Sequence, residues 1–200
     1  MKRLILLRHG RTTFNHQQRI QGQLDAPLDA AGLAQAAEVA PLVAALSPVV
    51  IWSSDLARAA VTADHVAEAC GGLPVTRDAR LRERHFGDVQ NWLHSEFKAR
   101  LPEQYAAFRA GDPAAVPGAE KISELSDRLH AALIDLLALT PEGETALAVA
   151  HGLAIKYAVG GLLGWDEEAS SALRGMDNCH WAEVEIDSGR ATLAAYNLGV

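Results

Sequence analysis

Residues 3–12, RLILLRHGRT, decide the fold. Arg3–Leu7 is a short and nearly continuous apolar run, the pattern of a strand buried on both faces. The run meets Arg8, His9 and Gly10 without a spacer. A buried strand therefore hands an arginine, a histidine and a glycine straight to a loop. Val49–Trp52 and Thr145–Ala150 read as strands of the same kind, and they run into Ser53-Ser54-Asp55 and His151-Gly152.

Helical patterns lie between these runs. Asp29–Leu46 is rich in alanine and leucine, with Asp29 placed as an N-cap, and Pro41 is expected to kink or split it. Asp55–Cys70 reads as a second helix stopped by Gly71-Gly72. Ile122, Leu125, Leu129, Leu133 and Leu136 share one face of a helix expected over Glu120–Leu139. Leu153–Leu163 reads as helical. His180–Ile186 and Ala191–Tyr196 flank Asp187-Ser188-Gly189 as a hairpin. The alternation predicts an α/β fold, a three-layer α/β/α sandwich with a mainly parallel central sheet. Ligands in such sheets sit beyond the carboxyl ends of the strands, which is where the three runs deliver their polar residues. Residues 92–118 read differently, as short helical pieces and a Gly/Pro-rich stretch. They are expected to form a small helical insertion over that sheet edge, a candidate lid within one domain spanning 1–200.

The chain has 200 residues, of which 49% are hydrophobic and 22% charged, with a net charge of −7. That size buries roughly 70% of the unfolded surface without a disulfide or metal staple. The acidic balance argues against nucleic acid or a membrane surface as partner. Only Cys70 and Cys179 occur, which is neither a disulfide framework nor a zinc cluster and fits a reducing compartment. The apolar run of the opening stops at Arg8, too short for a signal core, and no later run reaches bilayer length. The expectation is a cytoplasmic protein. Eight histidines occur without His-Glu-x-x-His, so no metal and no cofactor is expected.

The chemistry-bearing residues extend the first reading. Arg8 offers a planar fork suited to phosphate oxygens, and Gly10 lets backbone approach a ligand. RHGRTTFN resembles the Arg-His-Gly signature of the histidine phosphatase (phosphoglycerate mutase-like) superfamily. Four further segments are similar to that family in order: Gln21-Gly22-Gln23 with Pro27-Leu28 and Gly32; Ser53–Ala59, holding Arg58, with Thr62-Ala63; Leu81-Arg82-Glu83 with Phe86-Gly87; and Val149–Gly152, holding His151. Arg19–Asp25, Leu81–Asp88 and Gly175–Asn178 with Trp181 look similar to its glucosyl-3-phosphoglycerate phosphatase and broad-specificity types. The chain departs from the family at Gly87–Trp92, at Gly118–Lys121 and at Leu153.

The resemblance implies a catalytic set of His9, Glu83, Arg8, Arg58 and His151. His9 would become phosphorylated, and splitting hydrolysis in two replaces one hard step by two easier ones. Glu83 would protonate the leaving alkoxide and then take a proton from water. Arg8, Arg58 and His151 would surround the phosphoryl oxygens, with Asn15 as a neutral donor. Thr12, Gln21, Gly22, Gln23 and His85 are the remaining substrate-binding candidates. His16, His65, His94 and His130 match no segment and are expected at the surface, while Trp52 and Trp181 are expected in the core. The implied activity is metal-independent hydrolysis of small phosphomonoesters, sugar phosphates or phosphoglycerate derivatives such as glucosyl-3-phosphoglycerate. A mutase is the alternative, disfavoured because the chain stops just past its last strand. A catalytically inactive phosphate-binding module is a further alternative, disfavoured by the intact His9, Arg58, Glu83 and His151. The partner is a small phosphorylated metabolite, with a homodimer left open.

Overall fold

The computed structural model describes residues 1–199, less the side chain of Pro113; Val200, the end of the expected domain, lies outside the described residues. Six strands, β1 (Lys2–Arg8), β2 (Pro48–Ser53), β3 (Val75–Arg77), β4 (Thr145–Ala150), β5 (Trp181–Asp187) and β6 (Arg190–Leu198), form one sheet in the order β3-β2-β4-β1-β5-β6. The first four in that order run parallel, and β5 and β6 are antiparallel additions. The helices are α1 (Thr13–His16), α2 (Ala30–Ala44), α3 (Ala57–Ala69), α4 (His94–Arg100), α5 (Pro102–Arg109), α6 (Ile122–Leu139), α7 (Gly152–Leu162) and α8 (Glu167–Ser171).

The sandwich follows from the period-2 alternation of the central strands. Leu4 and Leu6 of β1, with Ala146, Ala148 and Ala150 of β4, pack against α6 and α7. Ile5 and Leu7, with Leu147 and Val149, face the other way onto α2 and α3. Each fully buried leucine or isoleucine contributes about 1.5–3 kcal/mol by leaving water. The small alanines of β4 lie on the face that carries the long apolar row of α6.

The expected strands and helices form within about two residues of their predicted ends. Pro41 is the exception to expectation: α2 runs through it without interruption, its last turn continued by a hydrogen bond from Ala45 N to Pro41 O at 3.0 Å. The missing amide costs one bond near an end, while Val39, Ala40 and Val43 stay buried against α3 and the sheet. Trp52 and Trp181 are core residues. Strand β3 is a finding without a sequence counterpart; only three residues long, it lacks a readable period.

The insertion is helical, as expected, and carries a core of its own. Val89, Phe97 and Val116 close around Ile20, with Phe86, Trp92, Tyr105 and Phe108 packed against them. His94 belongs to this cluster, contrary to the surface expectation. It is half-buried, with its ring stacked on Phe108 and edge-on to Tyr105. Helix α4 sets the ring there, a placement that local sequence does not encode.

Candidate active site

Register places the first pair of groups. In the parallel β1–β4 ladder Arg8 pairs with Ala150, and Ser53 of β2 pairs with Val149. His9 and His151 are each one residue further on, so the two rings emerge side by side, centroids 5.1 Å apart and tilted by 59°. Both are buried, at 3% and 0% exposure.

Their neighbours fix opposite tautomers. His9 Nδ1 lies 2.7 Å from Gly10 O; a carbonyl only accepts, so Nδ1 carries the proton and Nε2 the lone pair. His151 Nδ1 accepts from Arg58 Nε at 3.2 Å; a guanidinium only donates, so the proton of neutral His151 sits on Nε2, which meets Ser54 Oγ at 2.9 Å. Burial, and then the charges of Arg58 and Arg8, hold the His9 pKa well below the ordinary imidazole range. Burial and Arg58 do the same for His151. Both rings are therefore neutral at pH 7.

Arg58 enters from the first turn of α3 and is 1% exposed. Besides His151, its NH1 and NH2 donate to Leu24 O and Gly22 O, each at 2.7 Å. Three of its five N–H groups are thus spent on positioning it. Burial lowers its pKa to about 10, with Glu83 and Asp25 opposing, which leaves it charged at neutral pH. Arg8 NH1 donates to Met176 O. Arg8 Nε is buried and has no partner among the described residues. Gly152 lies alongside; a Cβ there would come within 3.4 Å of that nitrogen.

Glu83 reaches the cluster from the loop after the 3-10 turn Ala79–Leu81. Its Oε1 accepts from Arg84 N at 2.8 Å and Ala154 N at 3.0 Å, and Oε2 accepts from Leu153 N at 3.0 Å. The carboxyl group therefore rests on the first amides of α7, next to His151. An arginine clamp holds the same segment from behind. Arg128 of α6 donates to Arg80 O, Arg82 O and Glu83 O at 2.7–2.9 Å and pairs with Glu120 at 2.6 Å. Gln23 Nε2 also donates to Glu83 O, at 3.1 Å.

Asn15 sits in α1 inside a capping box with Thr12. Its Oδ1 accepts from Thr12 N at 3.1 Å, so its Nδ2 is the end left to donate. Thr12 Oγ lies 2.9 Å from Gln21 Oε1 and 3.0 Å from Asn15 Oδ1. Asn178 Nδ2 ties this loop to His9 O at 2.9 Å. Gly22 has φ +55° and its carbonyl receives Arg58; only glycine adopts that backbone without strain.

The structure brings His9, Arg8, Arg58, His151 and Glu83 together, with Asn15 and Thr12 beside them. Gln21, Gly22 and Gln23 brace that group through Thr12, Arg58 and Glu83. His85 is not drawn in: it is exposed, and its ring nitrogens meet Gly87 N at 3.0 Å and Gln90 Nε2 at 3.2 Å in the adjacent turn. Sequence reasoning missed Arg128, whose only trace is a polar residue on an otherwise ordinary amphipathic helix, and Glu120, which lies just before that helix. It also missed the roles of Ser54 and Asn178, although both stand in segments it singled out. Among the described residues no group of three or more His, Cys, Asp or Glu side chains could hold a metal ion. No helix among them is long and apolar enough to cross a membrane.

Comparison with known proteins agrees with this geometry. The pattern of the histidine phosphatase superfamily (branch 1) matches residues 4–199. The Probable phosphoglycerate mutase GpmB of Salmonella choleraesuis (strain SC-B67) is 38% identical over 195 residues, covering 95% of this chain and 87% of that protein. Among solved structures, a mycobacterial glucosyl-3-phosphoglycerate phosphatase complexed with VO3 is similar at 36% identity and a TM-score of 0.93, covering 98% of this chain and 99% of that one. The alpha-ribazole phosphatase of Shigella flexneri is similar at 28% identity and a TM-score of 0.84, covering 98% of this chain and 96% of that one.

Proposed function

The chain belongs to branch 1 of the histidine phosphatase superfamily, and on that premise we propose that it hydrolyses small phosphomonoesters, without a metal, through a phosphohistidine on His9. The chain is a hydrolase of the histidine phosphatase type acting on small phosphorylated metabolites. The observation that carries the finer reading is the pair of buried neutral imidazoles in opposite tautomers between two arginines.

His9 Nε2 attacks phosphorus with its lone pair as the bond to the leaving oxygen breaks. Glu83 gives that oxygen a proton. Arg8, Arg58 and the Asn15 amide hold the three peripheral oxygens, joined by the His151 Nε2–H when it gives up Ser54 Oγ, and charge stabilisation of this kind dominates phosphoryl transfer. The unpartnered Arg8 Nε is one N–H that a phosphoryl oxygen would satisfy. Water then attacks the phosphohistidine, its proton goes to Glu83, the P–N bond breaks, and inorganic phosphate leaves with His9 restored. The VO3 complex of the similar glucosyl-3-phosphoglycerate phosphatase supports an oxyanion in this pocket, and that relative makes glucosyl-3-phosphoglycerate and related phosphoglycerates the first substrates to try.

The test is turnover of a generic aryl phosphate with a non-acid quench. Acid-labile phosphorus on wild-type protein, absent together with activity from His9→Ala, is expected; undiminished turnover by that variant refutes the nucleophile. A mutase is the second reading, favoured by the 38% identity to the Salmonella protein. Isomerisation of 3-phosphoglycerate faster than release of phosphate would establish it.

A further inference from the structure

A cavity of about 400 Å3 opens beside Glu83, lined by Leu153, Lys156 and Tyr157 of α7, by Arg84, and by Arg109 and Asp112 of the insertion, among others. Its position matters first. Leu153 donates its amide to Glu83 and lends its side chain to the cavity wall. On the reading above, Glu83 protonates the leaving oxygen, and the cavity shares Arg84 and Leu153 with its immediate surroundings. Its size exceeds what a three-carbon group fills and suits a small metabolite.

Its charge matters next. Three cations line it against one carboxylate, in a chain whose net charge is −7. Lys156 is half-buried, and its Nζ donates to Ser171 O at 2.5 Å. Burial lowers its pKa. Among the described residues neither Lys156 nor Arg109 has an ion-pair partner within 4.0 Å. Arg84 is 3% exposed, held by Glu120 O through its Nε and stacked over Phe86. The one acid of the wall, Asp112, is engaged in capping Ala114 N at 2.8 Å. A half-buried ammonium without a counter-ion is costly unless a ligand supplies one.

We propose that Lys156 and Arg109, backed by Arg84, form a subsite for a second anionic group, so that the substrates are phosphorylated acids rather than neutral sugar phosphates. This inference rests on the proposed hydrolase reading. Lys156 holds the anion from the fixed side of the cavity and Arg109 from the end of α5 in the insertion. The subsite selects among substrates and takes no part in bond breaking.

The experiment uses two matched pairs: 3-carboxyphenyl phosphate with 3-carbamoylphenyl phosphate, and 3-phosphoglycerate with glycerol phosphate. Within each pair the ester is alike and the second charge differs. Wild-type protein is expected to favour the anionic member of at least one pair by tenfold or more in kcat/KM, expressed in KM. Lys156→Met and Arg109→Gln should each reduce that preference at least fivefold, leaving 4-nitrophenyl phosphate turnover within about twofold of wild type. Lys156→Arg should retain most of the preference. Equal treatment of both members by wild type overturns the subsite, and so does a variant that lowers both members together. Failure of the hydrolase reading looks different, because then neither aryl phosphate is turned over through His9.

Discussion

Stability should fall steeply with mild acid, and the site geometry sets the slope. His9 and His151 are fully buried beside cations, and both imidazoles have folded-state pKa values well below 6.5. The unfolded chain therefore binds more protons than the folded one once pH drops toward 6.5. Stability is full above that value and is lost as pH falls through it. For a ring that stays neutral in the folded state, moving from pH 7.5 to 5.5 costs about 1.4 kcal/mol. Two rings give about 2.7 kcal/mol, and His94, also lowered by burial, acts in the same direction. Aspartates and glutamates contribute little above pH 5.5, because their unfolded values lie near 4. Urea unfolding in phosphate-free buffer at pH 7.5, 6.5 and 5.5 measures the slope. Replacing both site histidines by glutamine should remove most of it. A flat profile between pH 7.5 and 5.5, or an unchanged slope in the double variant, would refute the claim that the rings are held neutral. That same claim leaves His9 with a free lone pair at working pH.

Arg128→Met removes donors from three carbonyls and the partner of Glu120; a stability loss of about 3 kcal/mol is expected from the unsatisfied groups, together with a fall in kcat larger than any change in inhibition by inorganic phosphate. Gly10→Ala would put a Cβ 2.5 Å from Gly32 O, so thermal unfolding should report a loss of about 1–3 kcal/mol from overpacking. Glu83→Gln should slow sugar-phosphate hydrolysis by about 10²–10⁴ while inorganic phosphate still competes; equal rates in wild type and variant remove the acid–base role. Aryl phosphatase activity should survive exhaustive chelation and be blocked by orthovanadate; loss of activity that returns with a divalent cation would refute the metal-free mechanism.

Most of the sheet was legible because buried parallel strands are continuous apolar runs, and Lys2–Arg8 and Thr145–Ala150 have that form. Arg8, His9 and His151 were legible for the same reason, since a strand end fixes where the next residue points. The resemblance of the Arg58 and Glu83 segments to a known family placed two groups that periodicity could not. Arg128 and Glu120 were invisible, because Arg128 works through backbone carbonyls 45 to 48 residues away and the Glu120 carbonyl holds Arg84, 36 residues away. His94 was misread because the aromatic cluster around it comes from four separate stretches of the insertion and its flanks. Pro41 was misread because local propensity was weighed without the packing that holds its turn.

The two site histidines show what sequence leaves undetermined even when it finds the right residues. Both follow a buried strand, both are buried, and both have depressed pKa values. What separates them is one neighbour each. Gly10 O can only accept, so His9 keeps a lone pair on Nε2; the Arg58 guanidinium can only donate, so His151 carries its proton on Nε2, where it meets Ser54 Oγ. One ring is thereby suited to attack phosphorus and the other to hold its oxygen. Arg58 thus bears on both rings, fixing the tautomer of one and depressing the pKa of the other. Arg58→Lys keeps a charge but cannot donate in the same plane to His151, Gly22 and Leu24. It should lower kcat far more than it lowers affinity for inorganic phosphate. A variant retaining more than about half of wild-type kcat would mean that charge alone suffices and that the tautomer argument is wrong.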